Sequence, residues 1–397
     1  MRKPMLIFGM VLAGLVLLVG TAGAFDDPPF EVDLYGYFKL DGAYDQNLTS
    51  HGNFVMWVEP PSYENDDEQF NMTVNQSRFG FDFSGRNIRP VDVGGNLEFD
   101  LYANATATGP EQSTAMLQLR HAYFTVNWGS WKLLAGQTWD LISPLSPPTL
   151  NYSSLWGCGN IGYLRPQLSV HYAILSEVSS RVTFSGGFFR TIGNDLTPTF
   201  SLALNEESEG EDDGIDAGIP SFQARLDINH EMGNRSSFRA GVAGLWGQLK
   251  AETNLGNSEK YNNWAFTGYL SAEWQDLYGF STEIYAGSNL GYYFGGILSS
   301  STIDGVASTG WWGNAWYMPH DKIRFNIGYG QDEVADEDIA AGRANNWCTY
   351  GNFNYYIVPQ VAVGVELSYW ETEYKLDAVR RGTVDNIRAQ TSFTLNF

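Results

Sequence analysis

The chain has 397 residues, 15% of them aromatic and 43 of them glycine, and carries a formal net charge of −22. That acidity excludes nucleic acid as a partner. Two cysteines far apart in sequence, Cys158 and Cys348, exclude a disulfide framework and a C-x-x-C metal site.

The first segment in chain order sets the compartment. Arg2 and Lys3 precede an apolar run from Met5 to Gly20, and Ala22-Gly23-Ala24 supplies an A-x-A cleavage site. We expect a signal peptide over residues 1–24 and a single mature domain over residues 25–397, exported to an oxidising envelope. No later stretch approaches the roughly 18 apolar residues that a membrane helix requires, so helical membrane architecture is excluded.

From Val32 to Tyr44 the sequence alternates, with Val32, Leu34, Phe38, Leu40 and Tyr44 on one face and Asp33, Lys39 and Asp41 on the other. The same dyad returns in Phe79 to Phe83, Leu97 to Leu101, Phe222 to Ile228, Ile323 to Ile327 and Val361 to Leu367. The sequence accommodates strands near residues 31–45, 71–85, 92–103, 115–128, 130–139, 162–173, 180–192, 220–230, 235–250, 260–275, 277–289, 305–318, 321–331, 343–357, 359–372 and 384–397. Their connections alternate between tight turns (Gly129, Gln275-Asp276, His320, Pro359) and long polar segments, an arrangement that a soluble sandwich has no reason to adopt. Short turns on one rim and long loops on the other predict an all-β, transmembrane antiparallel barrel of about 16 strands with long extracellular loops, in the outer membrane of a Gram-negative bacterium. An even strand number puts both termini on the periplasmic rim. Aromatic pairs at strand ends (Trp128 with Trp131, Trp274 with Tyr278, Trp316 with Tyr317, Tyr369 with Trp370) read as headgroup-level girdles. The alternation running to Phe397 resembles a barrel-insertion signal.

No G-x-S-x-G, H-E-x-x-H or phosphate loop is present, and the five histidines are scattered, so we expect no enzyme. If the large apolar residues face lipid, then Lys39, Arg78, Arg165, Arg225, Arg239, Arg324 and Arg388 point into the lumen, where they line a pore that favours anions. Inward acids (Asp33, Asp82, Glu98, Asp100, Asp227, Glu273, Glu283, Glu366) are as numerous, and the sequence leaves open whether they cancel that charge. Residues 138–163 are too apolar for a solvated rim. We expect this third long loop to fold inward as a constriction carrying Trp139, Asp140, Tyr152, Trp156 and Cys158, the alternative being a surface or trimer-contact loop. Cys348 falls on the lumen side of its strand, so the two cysteines either bond and pin the loop or stay free thiols. The acidic runs from Glu206 to Asp216 and from Asp332 to Asp338 read as solvated rim, or as holders of divalent cations bridging lipopolysaccharide. No other cofactor is expected.

Ser77-Arg78-Phe79-Gly80-Phe81, Leu119 to Phe124 and Ala135-Gly136-Gln137-Thr138-Trp139 resemble the DcaP-like family of outer-membrane porins, clearest over residues 75–173. The resemblance implies a homotrimeric porin, an inward third loop, and small anions, dicarboxylates among them, as solutes; it singles out Arg78 and Arg165 as pore-lining. Members often carry a coiled-coil segment ahead of the barrel, whereas here only Phe25 to Phe30 precedes the first strand. The expected function is passive diffusion of small polar, anionic solutes through a water-filled pore. A plugged structural or adhesive barrel and an outer-membrane enzyme are the rivals.

Overall fold

A computed structural model describes residues 30–60, 68–85, 90–103, 115–193, 213–252, 258–299 and 305–397; the expected signal peptide lies outside the described residues. Period-two alternation folds as antiparallel strands throughout. In chain order they are β1 (Phe30–Asp45), β2 (Gln69–Thr73), β3 (Arg78–Gly85), β4 (Asp92–Asp100), β5 (Gln118–Trp128), β6 (Trp131–Trp139), β7 (Leu164–Ser176), β8 (Ser180–Phe189) and β9 (Ser221–Gly233). The remainder are β10 (Ser236–Glu252), β11 (Ser258–Trp274), β12 (Tyr278–Ser288), β13 (Ala307–His320), β14 (Ile323–Val334), β15 (Gly342–Val358), β16 (Val361–Lys375) and β17 (Arg381–Asn396).

Apart from β2 and β3, which both pair with β1, each strand pairs with its neighbour in sequence, and β17 returns to β1 with Asn396 opposite Tyr37 and Arg388 opposite Asp45. Closure removes every free edge, as a backbone in hydrocarbon requires. Seventeen segments make a ring of sixteen because β2 pairs with Asp41 to Asp45 of β1 while β3 pairs with Phe30 to Tyr37. The two are one strand interrupted at residues 74–77. At the break the Ser77 hydroxyl accepts from the Lys39 amide at 3.0 Å and donates to the Lys39 carbonyl at 3.3 Å, replacing the missing rung.

The outward face is apolar and bare, with Phe266 and Ile327 exposed by 69% and 65%. A belt of that kind circling the barrel is the lipid-facing surface of an outer-membrane protein. No helix is long and apolar enough to cross a membrane, so the strands make the crossing. Two of the expected girdle pairs are corrected. Trp370 and Trp316 follow or precede an outward tyrosine directly, and consecutive strand residues point to opposite faces. Trp370 is accordingly buried inside the barrel, and Trp316 lies under the Arg324 guanidinium. Trp128 with Trp131 and Trp274 with Tyr278 are cross-strand neighbours, so each pair shares a face.

The interior is not uniformly polar. In the loop-side half, Leu245, Ala265, Tyr285, Trp312, Tyr350 and Trp370 face inward and are buried. They pack against apolar side chains from three loops whose described parts fold into the barrel: L1 (residues 46–60), L3 (residues 140–163) and L6 (residues 289–299 and 305–306). One cluster joins Val55 and Val58 of L1 and Leu155 and Cys158 of L3 to Trp312, Cys348, Tyr350 and Trp370 of the wall. A second joins Ile142 and Ile161 to Leu245, Ala265, Tyr285, Leu290 and Tyr293.

Candidate functional site: a cavity between the third loop and one wall

L3 leaves the barrel wall at a neck closed by Asp140. Its carboxylate pairs with Arg165 Nε at 2.7 Å, accepts from Gln223 Nε2 at 2.5 Å and accepts from the Tyr163 amide at 3.0 Å. From there the loop crosses the lumen to strands β12 to β16, where inward carboxylates receive its backbone. Glu283 accepts from the Leu145 amide (3.0 Å) and the Ser143 hydroxyl (2.5 Å), and Glu366 from the Leu150 amide (2.7 Å). Asp332 accepts from the Gly159 amide (2.7 Å) and, across L6, the Ile297 amide (3.3 Å). An irregular loop has amides with no partner of their own, and charge-assisted acceptors on the wall are strong ones. The approach is close enough to require glycine on both surfaces. A Cβ on Gly159, whose φ is +102°, would stand 2.1 Å from the Trp311 carbonyl, and one on Gly330 would stand 2.1 Å from the Cys158 carbonyl.

Covering strands β12 to β17 in this way leaves the opposite side open. A cavity of about 520 Å³ lies between L3, which presents Trp139, Tyr152 and Trp156, and a wall carrying Arg78, Arg120, His171, Arg225 and Arg239. Arg120 is buried between Glu98 and Asp100, 2.8 Å from each. Arg78 reaches Glu98 at 3.4 Å and Arg239 reaches Asp227 at 3.0 Å. Arg225 donates to the Leu141 carbonyl of L3 at 3.3 Å and has no acid within ion-pair distance among the described residues. The wall's acids therefore answer most of its arginines but not all of them, and the acids of the far wall are spent on L3.

All seven cations expected in the lumen are on the lumen side, yet only Arg78, Arg225 and Arg239 reach the cavity. Three of the other four are sealed away from it. Arg165 is fully buried under L6, with its guanidinium 3.8 Å from the Tyr293 ring centre and donating to the Tyr292 carbonyl. Arg388 is sealed against Asp45 at 2.6 Å, and Lys39 against Asp41 at 3.3 Å and the Leu150 carbonyl at 3.1 Å. Arg324 stays half-buried on the lumen side, over the Trp316 ring and apart from this cavity. Of the constriction residues, Trp139, Asp140, Tyr152 and Trp156 line the cavity, while Cys158 is turned to the far wall. Of the two alternatives left open for Cys158 and Cys348, the bond is not formed. The two share one buried cluster as free thiols, and Cys158 Sγ donates to the Gly330 carbonyl at 3.3 Å, with burial pushing its thiol pKa up.

Sequence reasoning passed over Arg120. Its strand reads as an alternation that would put Arg120 and His121 on opposite faces, but a bulge sets two residues of β5 against one of β4, with Phe99 opposite Leu119 and Glu98 opposite His121. Both Arg120 and His121 consequently reach Glu98. The acidic run at 332–338 is not a free rim: Asp332 is buried in the wall and Asp336 pairs with Arg381, while most of the run from Glu206 lies outside the described residues.

A closed sixteen-stranded barrel with a lipid-facing belt and a third loop folded across its lumen has the architecture of an outer-membrane porin. No family model and no curated protein matches the sequence. Among solved structures, the chain is similar to the outer membrane channel DcaP of Acinetobacter baumannii, with a TM-score of 0.71 and 18% identity over 95% of this chain and 100% of that one. It is also similar to an anion-selective porin from Comamonas acidovorans (TM-score 0.56, 12% identity, 93% and 100% covered) and to the trimer form of OmpT of Vibrio cholerae (TM-score 0.54, 14% identity, 93% and 99% covered). The fold implied by the DcaP-like resemblance is the fold found.

Proposed function

We propose that the protein is a diffusion porin that passes small polar solutes across the outer membrane with a bias toward anions, and that it works as a homotrimer in outer-membrane lipid and lipopolysaccharide. The observation that carries the bias is the division of labour between the walls. Carboxylates on β12, β14 and β16 are occupied by loop amides, whereas the cations of β3 to β10 border the open cavity with Arg225 left without a counter-acid. A fixed cation along a narrow aqueous path lowers the barrier for anions. The similarity to an anion-selective porin and to a protein solved as a trimer is in keeping with this reading.

Planar bilayers test it. Purified protein should insert with conductance steps that close in threes and an anion-biased reversal potential under a KCl gradient. Arg225→Ala should cut the anion-to-cation permeability ratio by about half or more. A silent membrane from well-folded protein would reject diffusion in favour of a plugged structural barrel, and an unchanged ratio in the variant would reject this assignment of the bias.

A further inference from the structure

The strand register aligns four side chains in one row across the lumen wall. Lys132 of β6 lies opposite His171 of β7, His171 opposite Ser185 of β8, and Ser185 opposite Arg225 of β9. All four belong to the inward set. His171 and Arg225 line the cavity, and Ser185 is buried and hydrogen-bonded to His171 Nδ1 at 2.7 Å. Lys132 alternates with the outward Trp131 and precedes Leu133, with the buried, inward Leu134 two residues on. Neighbouring strands are about 4.8 Å apart, so the row spans roughly 14 Å of a concave surface, which turns the side chains toward a common point.

Nearby acids do not reach the row: Asp92 continues it two strands beyond Lys132, across Asn127, and makes no ion pair with it. The row toward L3 is Leu134, Ser169, Gly187 and Gln223, which is neutral and, at Gly187, leaves space. In the row toward the periplasm the acid is Asp227, opposite Thr183, and it is engaged by Arg239 Nε at 3.0 Å, by Asn229 Nδ2 at 2.6 Å and by the Tyr269 hydroxyl. Among the described residues none of Lys132, His171 and Arg225 has an acid within ion-pair distance. An ammonium, an imidazole, a hydroxyl and a guanidinium fork on one arc form a donor set with charge to spare. The guanidinium can take two oxygens in one plane and the ammonium a third as a point charge.

We infer that Lys132, His171, Ser185 and Arg225 form an oxyanion-binding station beneath the constriction, suited to a compact tetrahedral dianion such as inorganic phosphate. The station is separate from the Arg78–Arg120 group, which Glu98 and Asp100 neutralise. It deepens the porin reading, since the lumen is its route of access.

Two measurements separate the station from that reading. In bilayers at pH 7.5, inorganic phosphate should reduce chloride current saturably, and Lys132→Ala with Arg225→Gln should raise the half-blocking concentration at least tenfold, with Lys132→Arg restoring most of the block. In detergent, without any current, the phosphorus resonance of inorganic phosphate should broaden on adding folded protein and sharpen again with the double variant. Broadening without channel activity would keep the station and remove the porin. An anion-selective channel whose phosphate resonance stays sharp and whose current ignores phosphate would overturn the station alone.

Discussion

Alternation assigned seven inward cations their face, because a regular strand leaves no choice once its neighbours are lipid-facing, and missed Arg120 where a bulge breaks the period. It could not assign depth. Arg78 and Arg225 border the cavity while Arg165 and Arg388 are entombed, and what separates them is cover from L6 and L1, which is tertiary and leaves no mark on the strand itself. The two thiols show the same limit: their common side of the barrel was legible, their bonding was not. With Cys158 hydrogen-bonded to a wall carbonyl, alkylation of denatured, unreduced protein should add two adducts by mass, and native protein should add none because both sulfurs are buried. A denatured chain that gains no adduct until reduced would show instead that the pair oxidises and pins L3.

At the scale of elements, the strands were legible because period two recurs between turn residues, and the segment read as one strand over 71–85 is one position in the ring, interrupted where Val74 to Ser77 leave the pattern. L3 was recognised as inward from its leucines. The same criterion applies to Phe54-Val55-Met56-Trp57-Val58 in L1 and to Leu290, Tyr293 and Ile297 in L6, which form the remaining cover. L1 also carries a titratable lock. His51 stacks on Phe54 at 4.3 Å and is buried, and desolvation lowers its pKa from 6.5 to about 4. A base with a depressed folded pKa stabilises docking fully above its unfolded pKa and loses that contribution as pH falls through 6.5 toward 4. By pH 5 the cost is on the order of 2 kcal/mol. Amide exchange in residues 46–60, corrected for intrinsic rate, should therefore quicken between pH 7 and pH 5. His51→Phe, which keeps the stack and cannot charge, should remove the acceleration; equal acceleration in that variant would place the pH sensitivity elsewhere.

For the whole molecule, the bulk value of −22 gives no guide to the proposed anion bias, because that bias rests on lumen cations while many acids lie on the rims. The exposed acids Glu177, Glu231, Asp276 and Asp321 stand on the short-turn rim and Glu333, Asp336 and Glu337 on the loop rim, while the cations of the open wall face inward. These two populations act on a permeating ion over different distances. Rim carboxylates act on approach, through water, over a Debye length of about 30 Å at 0.01 M salt and about 10 Å at 0.1 M. Lumen cations act within a few ångströms of the ion, where little salt intervenes. Raising salt over that range should weaken the rim's repulsion of anions faster than it weakens the lumen's attraction, so the anion-to-cation permeability ratio should rise from 0.01 M to 0.1 M KCl rather than fall. Neutralising the rim with Glu333→Gln and Glu337→Gln should flatten the dependence from the loop side. A ratio that declines steadily with salt would mean that the exposed acids do not reach the path of the ions and that screening of the arginines alone governs the current.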